Sequence, residues 1–391
     1  MFDINIISLF ILLIILLSLI VLGFFELRLH LISIGKIPIR IHVNGIRGKS
    51  SVVRLIAAGL REGGLKTFAK TTGTTPAIIN NSGNDVEIHR LRSATIGEQI
   101  KLIRYFAKQS IDALVIECMA VNPQYQWISE HRIIRSTLGV ITNVRRDHLD
   151  EMGTTENQIA QSIGNTIPNN SIVVTSEDKF FDLFQKIAQK RNSTLKSSDL
   201  SELSSKYLTD FPYIEHPDNI ALALKVCEEI GIKKEIALKG MLKTNPDPGA
   251  LIAMNVNYKN KTNKFISAFA ANDPDSTLKV WKLLKDKMTG KTCIFLNTRD
   301  DRRYRTVQLI NLIYEKIKPD LIIIRGDNVK GLIKDYENNK IKTKLFDMNS
   351  SSGELVEYII NLDNHSVVGI GNIVGWGESF LDKLQRYSID G

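Results

Sequence analysis

Gly45-Ile46-Arg47-Gly48-Lys49-Ser50 decides how this chain is read, because of what stands on either side of it. Residues 37–43 before it are an apolar run with strand character, and residues 50–60 after it carry helical periodicity. A glycine-bearing turn between strand and helix lets backbone N–H groups converge on phosphate oxygens, beside the positive end of the helix. Lys49 is then placed to neutralise the β- and γ-phosphates of ATP, and Ser50 to hold Mg²⁺. The match to the general phosphate-loop pattern is partial, since Val43 stands where its first glycine belongs. Taken alone, the hexapeptide also reads as a basic surface turn.

Working outward, the same alternation continues. Residues 113–116, 138–141 and 171–174 are short apolar runs, each followed by a polar turn and then, usually, a helical stretch. That is the text of a largely parallel α/β sheet. Helical text at 219–230 and 235–242 closes the region, and Asn245-Pro246-Asp247-Pro248-Gly249 makes a stiff turn where we expect a domain boundary. Runs at 265–269, 293–296, 321–324 and 367–370 predict a second, smaller α/β domain.

At the front, residues 6–25 are apolar except for Ser8, Ser18 and Gly23. About 20 helical residues at roughly 1.5 Å each cross a hydrocarbon core of about 30 Å, so one membrane span is expected. Asp3 precedes it and no small-residue cleavage site follows, which argues against a cleaved signal peptide. Arg28, Lys36 and Arg40 follow the span while no Lys or Arg precedes it, which puts the rest of the chain in the cytoplasm. The expected layout is an anchor over 1–27, a connector over 28–36, a central domain over 37–250 and a C-terminal domain over 251–391.

The 391 residues are 43% apolar and carry a net charge of +9, a balance that suits anionic partners but equally a solvated surface. No aromatic-interleaved basic stripe or recognisable module points to nucleic acid, so none is expected as a partner. The three cysteines are widely spaced in apolar stretches, which suggests neither a disulfide framework nor a zinc site.

Two more segments bear on the phosphate turn. Glu117 ends one strand-like run, and Thr142-Asn143-Val144-Arg145-Arg146-Asp147-His148-Leu149-Asp150 ends the next in an acidic turn with one histidine. A nucleotide enzyme needs metal ligands at neighbouring strand ends, although either residue alone also reads as an ordinary strand-end or turn residue. With Lys70-Thr71-Thr72-Gly73-Thr74 between them, this order resembles the Mur ligase and folylpolyglutamate synthetase superfamily. Glu117-Cys118-Met119-Ala120-Val121-Asn122-Pro123, Pro246-Asp247-Pro248-Gly249-Ala250 and Phe269-Ala270-Ala271-Asn272-Asp273 narrow it to a resemblance to the poly-γ-glutamate synthase ligase family (PgsB/CapB), over nearly the whole chain.

That resemblance implies an ATP-dependent amide ligase that activates a γ-carboxylate as an acyl phosphate. It would join glutamate to a growing poly-γ-glutamate chain at the cytoplasmic face of the bacterial membrane, among membrane lipids and further membrane subunits. Gly45, Arg47, Gly48, Lys49, Ser50 and Ser51 map to the phosphate grip, Ser50, Glu117 and His148 to Mg²⁺, and Thr72 and Thr74 to a loop near metal and acceptor. Asn219 maps near the nucleotide base, with a helix N-cap as the competing role. Arg302 and Arg305 would meet the phosphates or an acidic substrate on closure, or else form a solvated basic turn. Three departures are visible. Gln161-Ser162 occupies the neighbourhood of a lysine that many Mur ligases use toward a second metal, Gly249-Ala250 replaces the usual linker Gly-Arg, and no front domain precedes the phosphate turn. A folylpolyglutamate-type ligase and a non-catalytic nucleotide-binding scaffold are the alternatives.

Overall fold

The computed structural model describes residues 6–72, 76–89, 95–200, 211, 213, 215–246, 251–269, 273–299, 302–336, 341–373 and 375–388. The chain forms two compact units, one of residues 1–210 with 216–245 and the other of 211–215 with 246–391.

Helix α1 (Ile6–Gly35) opens the first unit and is long and apolar enough to cross a membrane. It runs on through residues 28–35, the stretch read from sequence as a connector, because nothing there breaks a helix before Gly35 and Pro38. Then follow β1 (Ile39–Asn44), α2 (Lys49–Glu62), β2 (Thr67–Thr71), β3 (Ala77–Ile79), β4 (Asp85–Glu87), α3 (Gly97–Lys108) and β5 (Ala113–Glu117). After these come α4 (Pro123–Ile128), a π-helical turn (Ser129–Ile134), β6 (Leu138–Ile141), α5 (Leu149–Met152), α6 (Glu156–Ile163), β7 (Ile172–Thr175), α7 (Phe181–Lys190), β8 (Thr194–Ser197), α8 (Pro217–Glu229) and α9 (Lys234–Met241).

The eight strands lie in the order β4-β3-β2-β5-β1-β6-β7-β8, parallel except for the β2-β3-β4 edge. β1 is central, with Val43 beside Glu117 of β5 and Val140 of β6, so the turn after β1 and the carboxylate at the end of β5 emerge at the same sheet edge. This is where open α/β sheets bind ligands. Consecutive crossovers through α2 and α3 run in opposite directions along the sheet, which with right-handed connections puts these two helices on opposite faces. Local signals set the helix starts: Asn122 caps α4 with Pro123 behind it, and Thr155 with Gln158 forms a capping box at α6.

The second unit is a six-stranded sheet of order β13-β12-β11-β14-β10-β9. Its elements are β9 (Ile252–Tyr258), β10 (Lys261–Ser267), α10 (Pro274–Lys285), β11 (Lys291–Asn297), α11 (Arg303–Leu312), β12 (Leu321–Arg325), α12 (Val329–Leu332), β13 (Lys342–Phe346), α13 (Ser352–Ile360), β14 (His365–Gly371) and α14 (Trp376–Gln385). Among the described strands the β9–β10 pair is antiparallel and the other pairs are parallel. Alternate residues of the central strands feed two cores, Ile294, Ile322 and Val368 on one side and Cys293, Phe295 and Ile323 on the other. Burial on both faces is why these strands read as unbroken apolar runs.

Candidate functional site

The turn after β1 depends on two glycines in conformations that other residues rarely adopt, Gly45 at φ 131° and Gly48 at φ 79°. A Cβ on Gly45 would stand 2.1 Å from Thr142 Oγ1, and one on Gly48 would stand 2.6 Å from Asn219 Oδ1. The loop is thus wedged between the end of β6 and the start of α8. Gly48 offers no side chain to cap α2, so the first-turn N–H groups, including those of Ser50 and Ser51, are left for an anion.

Lys49 lies within the turn, its Nζ donating to Gly45 O at 2.8 Å. Ser50 Oγ donates to Glu117 Oε2 at 2.9 Å, and the backbone N–H of Thr72 donates to the same oxygen at 2.7 Å. Glu117 is only 3% exposed. A carboxylate so buried is held by these donors and aimed at the phosphate turn.

On the other side, Asn143 ties the turn down: its Oδ1 accepts from Arg47 N at 3.1 Å and its Nδ2 donates to Arg47 O at 2.9 Å. Arg47 Nη2 pairs with Asp147 Oδ2 at 3.0 Å, and His148 Nε2 lies 3.9 Å from that oxygen. Burial lowers the pKa of His148, Asp147 opposes this, and the nearby Lys49 and Arg47 charges add to the lowering. The result is a neutral imidazole at neutral pH, the form that accepts a proton or a cation. Its backbone, at φ 51°, turns the chain into α5.

Asn219 does not cap its helix. His216 does, its Nδ1 accepting from Asp218 N, while Asn219 sits in the first turn of α8 with its side chain against Gly48. Thr74 lies outside the described residues, as do Asp247-Pro248-Gly249-Ala250 and Ala270-Ala271-Asn272. Arg302 and Arg305 belong to the second unit, where they line a cavity with Arg299, Asn297, Thr298 and Asn372 at the ends of β11 and β14. Three arginines lining one cavity suit a carboxylate or phosphate.

Sequence reasoning missed the supports. Buried Arg325 donates to Asn297 Oδ1 at 3.0 Å and stacks on Trp376 at 4.0 Å, which fixes one wall of that cavity. Asn143 and Thr142 sat inside a quoted motif with no role assigned, and only a contact across 96 residues gives Asn143 one.

Among the described residues no cluster of three His, Cys, Asp or Glu side chains is spaced to hold a metal. Mg²⁺ asks for less, since it keeps several waters and takes one or two carboxylates beside substrate phosphates. Ser50 and Glu117, with oxygens 2.9 Å apart, supply that kind of donor set.

Comparison with known proteins bears on the family and the fold. Residues 43–245 match the Mur ligase middle domain, and residues 253–387 match the poly-gamma-glutamate synthase CapB C-terminal domain. The chain is 38% identical to PGA synthase CapB of Bacillus subtilis, over 94% of this chain and 96% of that protein. It is 36% identical to the capsule biosynthesis protein CapB of Bacillus anthracis, over 95% and 82% of the two. In fold it is similar to the Mycobacterium tuberculosis folylpolyglutamate synthase solved with ADP and AMPPCP (TM-score 0.65, 15% identity, 87% and 90% coverage). It is likewise similar to MurF of Acinetobacter baumannii (TM-score 0.68, 13% identity, 92% and 79% coverage).

Proposed function

The chain belongs to the poly-γ-glutamate synthase CapB family, and on that premise we propose how its residues carry out an ATP-dependent amide ligation in poly-glutamate synthesis. The observation that carries the reading is the convergence of Ser50 Oγ and the Thr72 N–H on one oxygen of buried Glu117, beside the Gly45–Gly48 turn.

A free carboxylate resists an amine because oxide would have to leave. In the proposed reaction a γ-carboxylate oxygen attacks the γ-phosphorus of ATP, the bond from phosphorus to the β-bridging oxygen breaks, and ADP departs with its electrons. The amine of the joining residue then adds to the acyl carbon, gives up a proton, and expels phosphate. The first-turn N–H groups of α2 and the Lys49 ammonium hold the phosphates and offset charge on the transferring oxygens. Mg²⁺, bound through Ser50 and Glu117, would supply further charge neutralisation at the phosphates. We assign His148 to the same phosphate site, as a neutral ligand to water or metal, and Asn219 to the nucleotide side of Gly48. The cavity of Arg299, Arg302 and Arg305 takes a carboxylate of glutamate or of the acidic chain.

We further propose that α1 spans the cytoplasmic membrane, with Arg28, Lys36 and Arg40 on the cytoplasmic side. A single apolar helix is no conduit for a polyanion, so export falls to membrane partners. The test is to incubate the full chain in membranes with ATP, Mg²⁺ and radiolabelled glutamate. ADP, phosphate and a labelled γ-linked polymer are expected in step. Phosphate release with a folate acceptor, and none with glutamate, would favour the folylpolyglutamate-type alternative; no ligation with either would favour a scaffold.

A further inference from the structure

The last turns of α1 belong to the catalytic unit. His30 and Ile34, a turn apart on α1, and Ile37 just beyond its end are buried at 4%, 6% and 0% exposure. His30 Nε2 pairs with Ile133 O at 2.9 Å, and Ile34 and Ile37 share a core cluster with Ile103 and Phe106 of α3. One turn earlier, Arg104 Nη2 of α3 donates to both the backbone oxygen and Oε1 of Glu26, each at 3.1 Å. A continuous helix fastened at these points cannot pivot against the unit it carries.

This fixes a depth. If about 20 residues of α1 from Ile6 fill the hydrocarbon core, Glu26 is the first charged residue beyond it, at the headgroup boundary. Arg104, tied to Glu26, stands at the same level. The rest of α3 flanks it: Lys101, Tyr105 and Lys108, at spacings that put them on one face, are all exposed, Tyr105 at 45%. The one carboxylate of α3, Glu98, pairs inward with buried Lys70 at 3.3 Å, so it does not offset the outward lysines. Arg28 adds charge from α1 beside the same level.

We propose that this exposed face of α3, Lys101-Tyr105-Lys108, is a binding surface for anionic phospholipid headgroups and sets the pose of the catalytic unit against the bilayer. The proposal rests on the membrane-spanning reading of α1. Cations at headgroup depth are drawn to an anionic surface within a Debye length of about 8 Å, and tyrosine is favoured at that interface.

The native cysteines are all buried, so a thiol placed at Tyr105→Cys can be labelled selectively with bimane in the full chain. The control is Ile236→Cys on α9, which packs on α2 at the opposite face of the sheet. Both proteins are reconstituted into phosphatidylcholine vesicles with and without phosphatidylglycerol, carrying a headgroup spin-label quencher. The label at 105 should be quenched severalfold more than that at 236. Phosphatidylglycerol should deepen the difference, and Lys101→Glu with Lys108→Glu should remove most of it. Equal quenching at the two sites, in protein that resists carbonate extraction, overturns the surface while leaving the anchor intact. Quenching at 105 that ignores both phosphatidylglycerol and charge reversal also overturns it, as proximity without headgroup binding. A chain that carbonate strips from vesicles removes the anchor and the surface together.

Discussion

Replacing Glu130 by Gln should remove part of a contribution of about 3 kcal/mol to the stability of the first unit near neutral pH, and the loss should shrink as pH rises. Glu130 Oε2 lies 2.8 Å from His42 Nδ1, with the two side chains 1% and 0% exposed, and Ser136 donates to the same carboxylate through N and Oγ. His42 is on β1, two residues before Asn44 and the phosphate turn. Burial works to lower the pKa of this imidazole, but Cys118 and Glu130 beside it more than reverse that and push it up to about 9. Cys118 is the larger of these two supports, and the Glu130 carboxylate, 2.8 Å from Nδ1, is the second. From an unfolded value of about 6.5, the upward shift is worth about 3 kcal/mol, taking roughly 1.4 kcal/mol per unit. Because the folded pKa is the higher one, the contribution is complete below the unfolded pKa and is lost as pH rises through about 9. Urea unfolding of the full chain in detergent, at about pH 6.5 and about pH 9, reads this directly. The native protein should lose stability between them, and Glu130→Gln should lose less. Parallel pH dependence in the two proteins would refute the reasoning.

Lys49→Ala should abolish glutamate-dependent ADP release without unfolding the chain, since among the described residues Lys49 Nζ bonds only turn carbonyls; a well-folded variant with near-normal release would remove the loop from the site. Glu117→Gln keeps the volume but loses the charge, and should raise the Mg²⁺ concentration needed for half-maximal rate, a shift that a Mg²⁺ titration of phosphate release would register or exclude. A chain beginning at Lys36 loses Leu31 and Ile34 from the core shared with α3 and His30 from Ile133, and should be destabilised by roughly 3–5 kcal/mol, whereas one beginning near Glu26 should keep its melting temperature.

That truncation contrast shows where sequence runs out. Residues 6–25 announced a span by composition alone, and the buried strands announced themselves because both faces of a parallel sheet are covered. Where the span ends and the catalytic unit begins depends instead on Ile34 and Ile37 meeting α3, some 70 residues on, and on His30 meeting Ile133, some 100 residues on. The edge strand Asp85–Glu87 is exposed along its whole length and carries no apolar pattern to read. The phosphate turn was legible because glycine, lysine and serine at fixed spacing are a local device. The partners that hold it, Asn143 across from Arg47 and Asn219 against Gly48, are contacts between distant segments and leave no periodic trace.

The departure at Gln161-Ser162 takes on physical meaning in the same way. Ser162 is buried on α6, and its Oγ accepts from Gln126 Nε2 at 3.2 Å. Gln126 Oε1 in turn accepts from Asn44 Nδ2 at 3.1 Å, and the same Nδ2 donates to Thr166 Oγ1. Asn44 immediately precedes Gly45 and donates no charge to it; its Oδ1 accepts the Gly45 N–H at 2.8 Å. Behind the turn there is thus a chain of neutral amides and hydroxyls that fixes the loop's backbone, in the neighbourhood where the resemblance to soluble Mur ligases leads one to look for lysine. A neutral network cannot balance a second divalent cation, which needs anionic ligands to offset its desolvation. On the proposed reading, the positive charge beside the phosphates comes from in front of the turn, from Lys49, Arg47 and a cation held at Glu117, and the network's part is to hold those groups in register.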